Sequence, residues 1–374
     1  MKYLYANKQL LNLILLLILS RLLSFVYFSI FPFEHSLFGS VSPLTYHWFA
    51  DITLYNQFIR ILDFEIDAFY DFFNNYKYIL NNQFDNIIRF PGFLYPTILK
   101  LTFYNEQNVI PLALLVLITE ILASSLWIFF FKKQNIPFIF CLLFILLPFP
   151  WIFSILKSSD VFFYLLTTLF LLSAIKVIKI NNKAMFFLLF LACMTRPSGL
   201  GLILAYLLYV FFLKQNFEIS LRSKLLLLFV FIFSTLYYMP YFFSEINSLQ
   251  FFETLNQQTL TFKDFIYLIP KYSMKILNIL GMQETNSDNH LFYFFRVLES
   301  MILVIGFIYL LYKNNINIMY LVTVINLTFI IIFLFPAYRY SVAFLPILFL
   351  SFADFMLMIT HKLLKIKHAI RSKH

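Results

Sequence analysis

The chain has 374 residues, of which 61% are hydrophobic and only 12% charged, about half the charged fraction of an ordinary soluble domain. This composition excludes a typical soluble enzyme and predicts an all-α, polytopic membrane protein, a single helical bundle over residues 1–374. The net charge of +10 is concentrated in short connections between apolar runs, so it indicates orientation in the membrane and predicts no nucleic-acid binding.

Ten apolar runs have roughly the length that a transmembrane helix needs, about 20 residues. They cover residues 9–31, 107–131, 136–156, 160–178, 184–196, 199–213, 225–243, 291–312, 317–335 and 339–360. The fifth and sixth runs are short, and we interpret the residues between them as a tight turn joining two helices. A single bent helix there would reverse every later orientation.

Arg21 interrupts the first apolar run. A charged side chain that faces lipid is costly, so we expect Arg21 to face the interior of the bundle. Glu120 and Asp354 also lie within or near apolar runs, where a carboxylate can serve as a proton-relay group.

The distribution of lysine and arginine predicts the orientation, because these residues favour the cytoplasmic side. With the N-terminus inside, 16 of the 28 basic residues fall in short inner segments and both termini are cytoplasmic. Two large loops, 32–105 and 244–290, then lie outside. This pattern predicts a multi-pass membrane protein with both loops on the extracytoplasmic side. The short loops favour a bacterial inner (plasma) membrane, and we interpret the first outer loop as half of an extracytoplasmic active site.

The first outer loop holds seven of the chain's eighteen carboxylates. Within it, apolar and aromatic residues follow helical spacing from Asp63 to Leu80, at Ile66, Phe69, Tyr70, Phe73 and Leu80. The opposite side of this segment is acidic. We therefore predict an amphipathic helix that lies flat on the membrane surface.

The loop also contains a candidate catalytic carboxylate, Asp51. A partly desolvated carboxylate near the interface can accept the proton of an attacking hydroxyl group. Asp51 is equally suited to cap a helix that begins at Ile52. The residues alone leave both interpretations open.

Four basic residues fall on the same predicted face of the membrane as the acidic loop. Arg89 precedes a Pro-Gly turn, Lys157 precedes a helix start, and Arg196 and Arg339 lie at other outer helix ends. Each can serve as an interfacial anchor, and Ser159 or Asp160 can serve as a helix cap. Together these cations suit a lipid-linked phosphate, whose oxygens arginine binds in a bidentate manner.

Other chemistries have no support in the sequence. The chain has six glycines and no glycine-rich phosphate-binding loop, so nucleotide binding is not predicted. Its six histidines show no metal-ligand spacing. Cys141 and Cys193 both fall inside apolar runs, which predicts no disulfide framework.

Four local patterns resemble the GT-C superfamily of polyprenyl-phosphate-sugar-dependent glycosyltransferases. They are similar to the bacterial relatives of protein O-mannosyltransferase and of the lipid A aminoarabinose transferase, and to the GPI mannosyltransferases. The patterns are Asp51 with Tyr55; Arg89-Phe90-Pro91-Gly92-Phe93-Leu94-Tyr95-Pro96; Ser159-Asp160-Val161-Phe162 followed by Thr195-Arg196-Pro197-Ser198-Gly199-Leu200; and Arg339-Tyr340 with Pro346. The family usually shows an acidic residue closer to the first helix, a place that Glu34 holds here.

The resemblance implies an inverting single displacement that moves mannose or another hexose from a polyprenyl-phosphate donor to a hydroxyl of a glycan, lipid or protein. It implies that Asp51 is the general base and that the donor is bound by Arg89, Lys157, Asp160, Arg196, Arg339, Tyr340 and Tyr55. No cofactor is implied. Some members bind a divalent metal near the loop acids, although nothing in this sequence requires one.

Two other functions remain open at this point. A transporter or flippase of lipid-linked sugars would place polar groups at mid-depth in the bundle, and the apolar runs are nearly free of them. An enzyme like an O-antigen polymerase would carry a basic late outer loop, whereas 244–290 has more acidic than basic residues.

Overall fold

The computed structural model describes residues 2–35, 39–44, 59–81, 92–102, 108–147, 157–213, 220–248, 290–313, 316–333 and 344–371. In these ranges the chain is helical apart from one short antiparallel hairpin, in which β1 (Phe33–His35) pairs with β2 (Gly39–Val41). The all-α prediction is thus confirmed, with the hairpin as an addition directly after the first helix.

Ten of the described helices coincide with the predicted apolar runs, and two lie in the predicted first outer loop. In chain order they are α1 (Lys2–Ile30), α2 (Ile66–Leu80), α3 (Leu94–Leu101), α4 (Ile110–Lys133), α5 (Phe138–Leu146), α6 (Ser159–Ala174), α7 (Asn182–Cys193), α8 (Gly199–Leu208), α9 (Leu221–Ser248), α10 (His290–Lys313), α11 (Ile318–Phe333) and α12 (Leu345–Arg371). A π-helical turn, Tyr209–Leu213, extends α8.

Four helices in the described ranges are long and apolar enough to cross a membrane: Lys8–Ile30, Ile110–Lys133, Leu221–Pro240 and Leu345–Lys365. A fifth span results if two neighbouring helical segments form one broken span. These segments are Val297–Lys313 and Ile318–Thr328, and the chain bends by 119° between them. The helices α6, α7 and α8 are apolar but shorter. The structure therefore supports four or five spans, and the predicted ten stay a prediction, as does the extent of the first outer loop.

The bundle is built around α4, α6 and α8. Helix α4 packs on α1 and α6, α6 packs on α7, and α8 packs on α7, α9 and α11. Helix α12 packs along α10 and joins the rest through Phe349, whose ring centroid lies 5.7 Å from that of Phe131 in α4 and 5.2 Å from that of Phe144 in α5. Packed aromatic side chains thus connect α4, α5 and α12 within the core.

The predicted amphipathic helix is present as α2. Its stripe of Ile66, Tyr70, Phe73 and Leu80 is 64–83% exposed, while its other side packs on α9. The side chain of Phe69 lies outside the described residues. An exposed apolar stripe on a helix that packs on the bundle through its other side is the pattern of a helix on a membrane surface, and its contact with the membrane stays a prediction.

Candidate functional site

Four segments that are distant in sequence meet at one end of the bundle. They are the start of α3 (Gly92–Tyr95), the start of α6 (Lys157–Asp160), the turn between α7 and α8 (Met194–Ser198) and the segment after β2 (Ser42–Pro43). We call this region the polar junction. Its first three segments carry parts of two of the four patterns that resemble glycosyltransferases.

The start of α3 is hydrogen-bonded to both neighbouring segments. The backbone N–H of Leu94 donates to the carbonyl oxygen of Met194 at 3.0 Å, and the hydroxyl of Tyr95 donates to the carbonyl oxygen of Lys157. Both acceptors are backbone groups at helix ends or turns, which need partners from outside their own helix. Helix α3 therefore fixes the spacing between the α6 start and the α7–α8 turn.

Two glycines permit the close approach at the junction. A Cβ atom at Gly92 would lie 2.0 Å from the carbonyl oxygen of Met194, and one at Gly199 would lie 2.4 Å from the Cα of Cys193. Any larger residue at either position would force backbone segments apart. The predicted tight turn between α7 and α8 is thus present.

Arg196 and Asp160 form a buried ion pair at the centre of the junction. The Nη1 group of Arg196 donates to Oδ1 of Asp160 and, at 3.4 Å, to the hydroxyl of Ser159. Asp160 is fully buried and Arg196 is 5% exposed. Asp160 lies in the first turn of α6, where the helix dipole favours a negative charge.

The predicted capping role at the start of α6 differs from the observed one. Ser158 occupies the N-cap position in an extended conformation and makes no side-chain capping bond. Ser159 and Asp160 are already inside the helix, where they contact Arg196. The sequence pattern suggested a cap because serine and aspartate are favoured at the N-cap position of a helix. In the structure both side chains instead contact Arg196, which is distant in sequence.

Lys157 connects the junction to the segment that leads toward Asp51. Its Nζ group donates to the carbonyl oxygens of Ser42 and Pro43, both at 3.0 Å, and the side chain is 1% exposed. Burial lowers the pKa of Lys157 to about 7. The structure thus places this predicted phosphate ligand against backbone carbonyls of the first loop.

Helix α9 closes the junction with a residue that the sequence analysis missed. The hydroxyl of Tyr238 donates to the carbonyl oxygen of Cys193 at 2.7 Å, and a Cβ atom at Gly92 would lie 2.5 Å from that hydroxyl. A tyrosine pair, Tyr237-Tyr238, two residues before Pro240 in an apolar run was the available signal.

The predicted site residues divide into two groups. Lys157, Asp160 and Arg196 belong to the polar junction, with Asp160 and Arg196 in direct contact. The other five, Asp51, Tyr55, Arg89, Arg339 and Tyr340, lie outside the described residues. Within the described ranges, no group of three or more His, Cys, Asp or Glu side chains could hold a metal ion.

The arrangement is suited to holding an anion. Two helices of more than two turns, α6 and α8, begin at the junction, and helix N-termini present backbone N–H groups and a positive dipole end. Arg196 adds a guanidinium group between them, oriented by Asp160. Comparison with protein-family models, with curated proteins and with solved structures found no match.

Proposed function

We propose that this membrane protein is an inverting glycosyltransferase that moves a hexose from a polyprenyl-phosphate donor to an acceptor hydroxyl at the extracytoplasmic face. The observation that carries the proposal is the convergence at the polar junction of Arg196 and two helix N-termini, beside which Lys157 holds the first loop. A lipid-linked phosphate needs such a cationic site at the end of a bundle, where its chain can stay in the membrane and its sugar can reach water.

In the proposed reaction the acceptor oxygen attacks the anomeric carbon of the donor sugar. The new carbon–oxygen bond forms as the bond to the phosphate oxygen breaks, and the polyprenyl phosphate leaves with the electron pair. Arg196 and the N–H groups at the starts of α6 and α8 stabilise the charge that develops on this phosphate. Asp51 accepts the proton of the acceptor hydroxyl.

The roles of Asp160 and Lys157 follow from their contacts. Asp160 holds the guanidinium plane of Arg196, and Lys157 holds the segment after β2 against the start of α6. Arg89, Arg339, Tyr340 and Tyr55 complete the donor site in this proposal. The N- and C-termini are cytoplasmic and ten helices cross or enter a bacterial inner membrane, so that the polar junction faces outward.

Transfer of label from a panel of radiolabelled polyprenyl-phosphate sugars by the purified protein tests the proposal. We expect one donor to be used, Asp51→Asn to abolish transfer, and Arg196→Lys to reduce kcat/KM about 100-fold or more, as loss of a transition-state hydrogen-bond donor does. Arg222→Lys, at the opposite end of α9, is the matched control and keeps wild-type activity. No transfer from any donor by folded protein would overturn the proposal.

A buried ion pair gives some support to a second function, transport of lipid-linked sugars. Arg21 and Glu120 lie near the middle of α1 and α4 with side chains 1% and 0% exposed, and a transporter would place charges at that depth. However, these two charges form an ion pair with each other, and a pathway for a lipid-linked sugar does not require such a neutral pair. Flipping of a fluorescent lipid-linked sugar in proteoliposomes, without transfer, would favour this alternative.

A further inference from the structure

A proline in α9 leaves one backbone carbonyl without its helical partner. Pro240 lies inside this helix, and proline has no N–H group to donate to the carbonyl four residues earlier. That carbonyl belongs to Leu236. In an apolar environment such a freed acceptor is satisfied by a neighbouring group.

The neighbouring group comes from the surface helix. The hydroxyl of Tyr76 in α2 donates to the carbonyl oxygen of Leu236 at 2.9 Å, across 160 positions of sequence. Burial raises the pKa of Tyr76, so the hydroxyl remains a protonated donor throughout the physiological range. The Leu236 carbonyl is therefore available to Tyr76 because residue 240 is proline, which donates no N–H group to it.

The segment directly before α2 is held at a second point. Lys100, in the last turn of α3, donates to the carbonyl oxygen of Leu62 at 2.9 Å and to the carboxylate of Asp63. Helix α3 begins in the polar junction. Helix α2 is thus fixed between α3 and α9, the two helices that supply Tyr95 and Tyr238 to the junction.

We infer that Tyr76 is a positioning residue that docks α2 beside the polar junction through the carbonyl that Pro240 frees at Leu236. We call this hydrogen bond the Tyr76 latch. Its part in catalysis rests on the proposed function, since α2 belongs to the acidic loop that carries Asp51. The latch sets where this loop lies relative to Arg196 without itself touching the substrate.

Hydrogen–deuterium exchange of the full-length protein in lipid nanodiscs tests the latch directly. Tyr76→Phe keeps the ring and removes the donor, and we expect the α2 amides to exchange about five- to tenfold faster, as loss of one hydrogen bond predicts. Tyr70→Phe is the matched control, because Tyr70 lies on the exposed stripe of the same helix. Unchanged exchange in Tyr76→Phe would overturn the inference.

A second pair of variants tests the link to the proline. Pro240→Ala restores an N–H group that can reach the Leu236 carbonyl within α9, so the effect of Tyr76→Phe should fall by at least half in that background. An equal effect in both backgrounds would show that the bond does not depend on Pro240. Should Pro240→Ala fail to fold, Tyr76→Phe against Tyr70→Phe still decides whether the hydroxyl holds α2.

The transfer assay separates this inference from the proposed function. With a positioning role, Tyr76→Phe raises KM for the acceptor several-fold and changes kcat less, and Tyr70→Phe changes neither. Faster α2 exchange in a protein that transfers no sugar would retain the latch and reject the glycosyltransferase. Normal exchange and normal KM in an active enzyme would reject the latch alone.

Discussion

Arg21 in α1 and Glu120 in α4 form a fully buried ion pair, with Nε of the arginine 3.1 and 3.0 Å from the two carboxylate oxygens. The Nη1 group donates to the carbonyl oxygen of Ile145 at 2.9 Å, and Ser124 donates to Glu120 at 2.8 Å. The pair therefore joins three helices through polar contacts inside an apolar bundle.

Replacing one partner of this ion pair should destabilise the protein far more than replacing both. We expect Arg21→Met or Glu120→Leu alone to cost about 3–5 kcal/mol of unfolding free energy, because each leaves a buried charge without its partner. The double variant should recover most of that loss. Thermal unfolding in detergent, monitored for all three variants, measures the coupling, and additive losses in the double variant would contradict the assignment.

The contacts of Asp160 and Arg196 predict unequal catalytic effects. If Asp160 only orients Arg196, Asp160→Asn should lower kcat/KM for the donor less than Arg196→Lys does, since the arginine and its charge remain. Both variants should be compared at matched folded fraction, because breaking a buried pair also destabilises the protein. A larger loss in Asp160→Asn than in Arg196→Lys would assign Asp160 to the substrate directly.

Gly92 should tolerate no side chain. The Cβ atom of an alanine there would lie 2.0 Å from the carbonyl oxygen of Met194, which also accepts the N–H of Leu94. We expect Gly92→Ala to destabilise the protein by about 1–3 kcal/mol, as overpacking typically does. A melting temperature equal to that of the wild type would show that α3 and the α7–α8 turn can separate at no cost.

Local sequence signals predicted the elements well because hydropathy and periodicity are local properties. The apolar runs locate the helices, the spacing of Ile66, Tyr70, Phe73 and Leu80 predicts α2, and the cost of charge in lipid predicts that Arg21 faces inward. All three outcomes are confirmed by the structure. The number of spans stays a prediction, since short helices such as α6 to α8 are ambiguous by length alone.

The contact partners of polar side chains were much harder to predict than the positions of the helices. Glu120 is 99 residues from Arg21, and no local pattern connects them. The sequence predicts Asp160 and Arg196 as donor ligands, and no pattern indicates that they also bind each other. The acceptors of Lys157 and Tyr76 are backbone carbonyls, which every residue carries, so no side-chain pattern could have indicated them.

The exposed stripe of α2 should contact lipid. A spin label at Phe73→Cys should be more accessible to oxygen than to a polar nickel relaxant in nanodiscs, as a side chain in the acyl–headgroup boundary is. The native thiols do not interfere, because Cys141 and Cys193 are both buried. Asp71→Cys, on the acidic side of the same helix, is the matched control with the opposite preference. Equal accessibility at both positions would place α2 away from the membrane surface.

Burial of Lys157 predicts that stability increases with pH. Its pKa is lowered from 10.5 to about 7 in the folded protein, so between these values the unfolded chain binds more protons than the folded one. The free energy of unfolding should therefore rise across this window, by no more than about 1.4 kcal/mol per pH unit. Below pH 7 the lysine is charged in both states and this dependence disappears.

Lys157→Met isolates that effect, because methionine keeps much of the side-chain volume and has no proton to lose. Chemical unfolding of both proteins at pH 7, 8 and 9 should show the wild type gaining stability relative to the variant at each step. The variant also loses the two bonds to Ser42 and Pro43, which lowers its stability by the same amount at every pH. Parallel pH profiles would mean that Lys157 stays charged in the folded state, its ammonium group stabilised by the two carbonyls that hold the first loop.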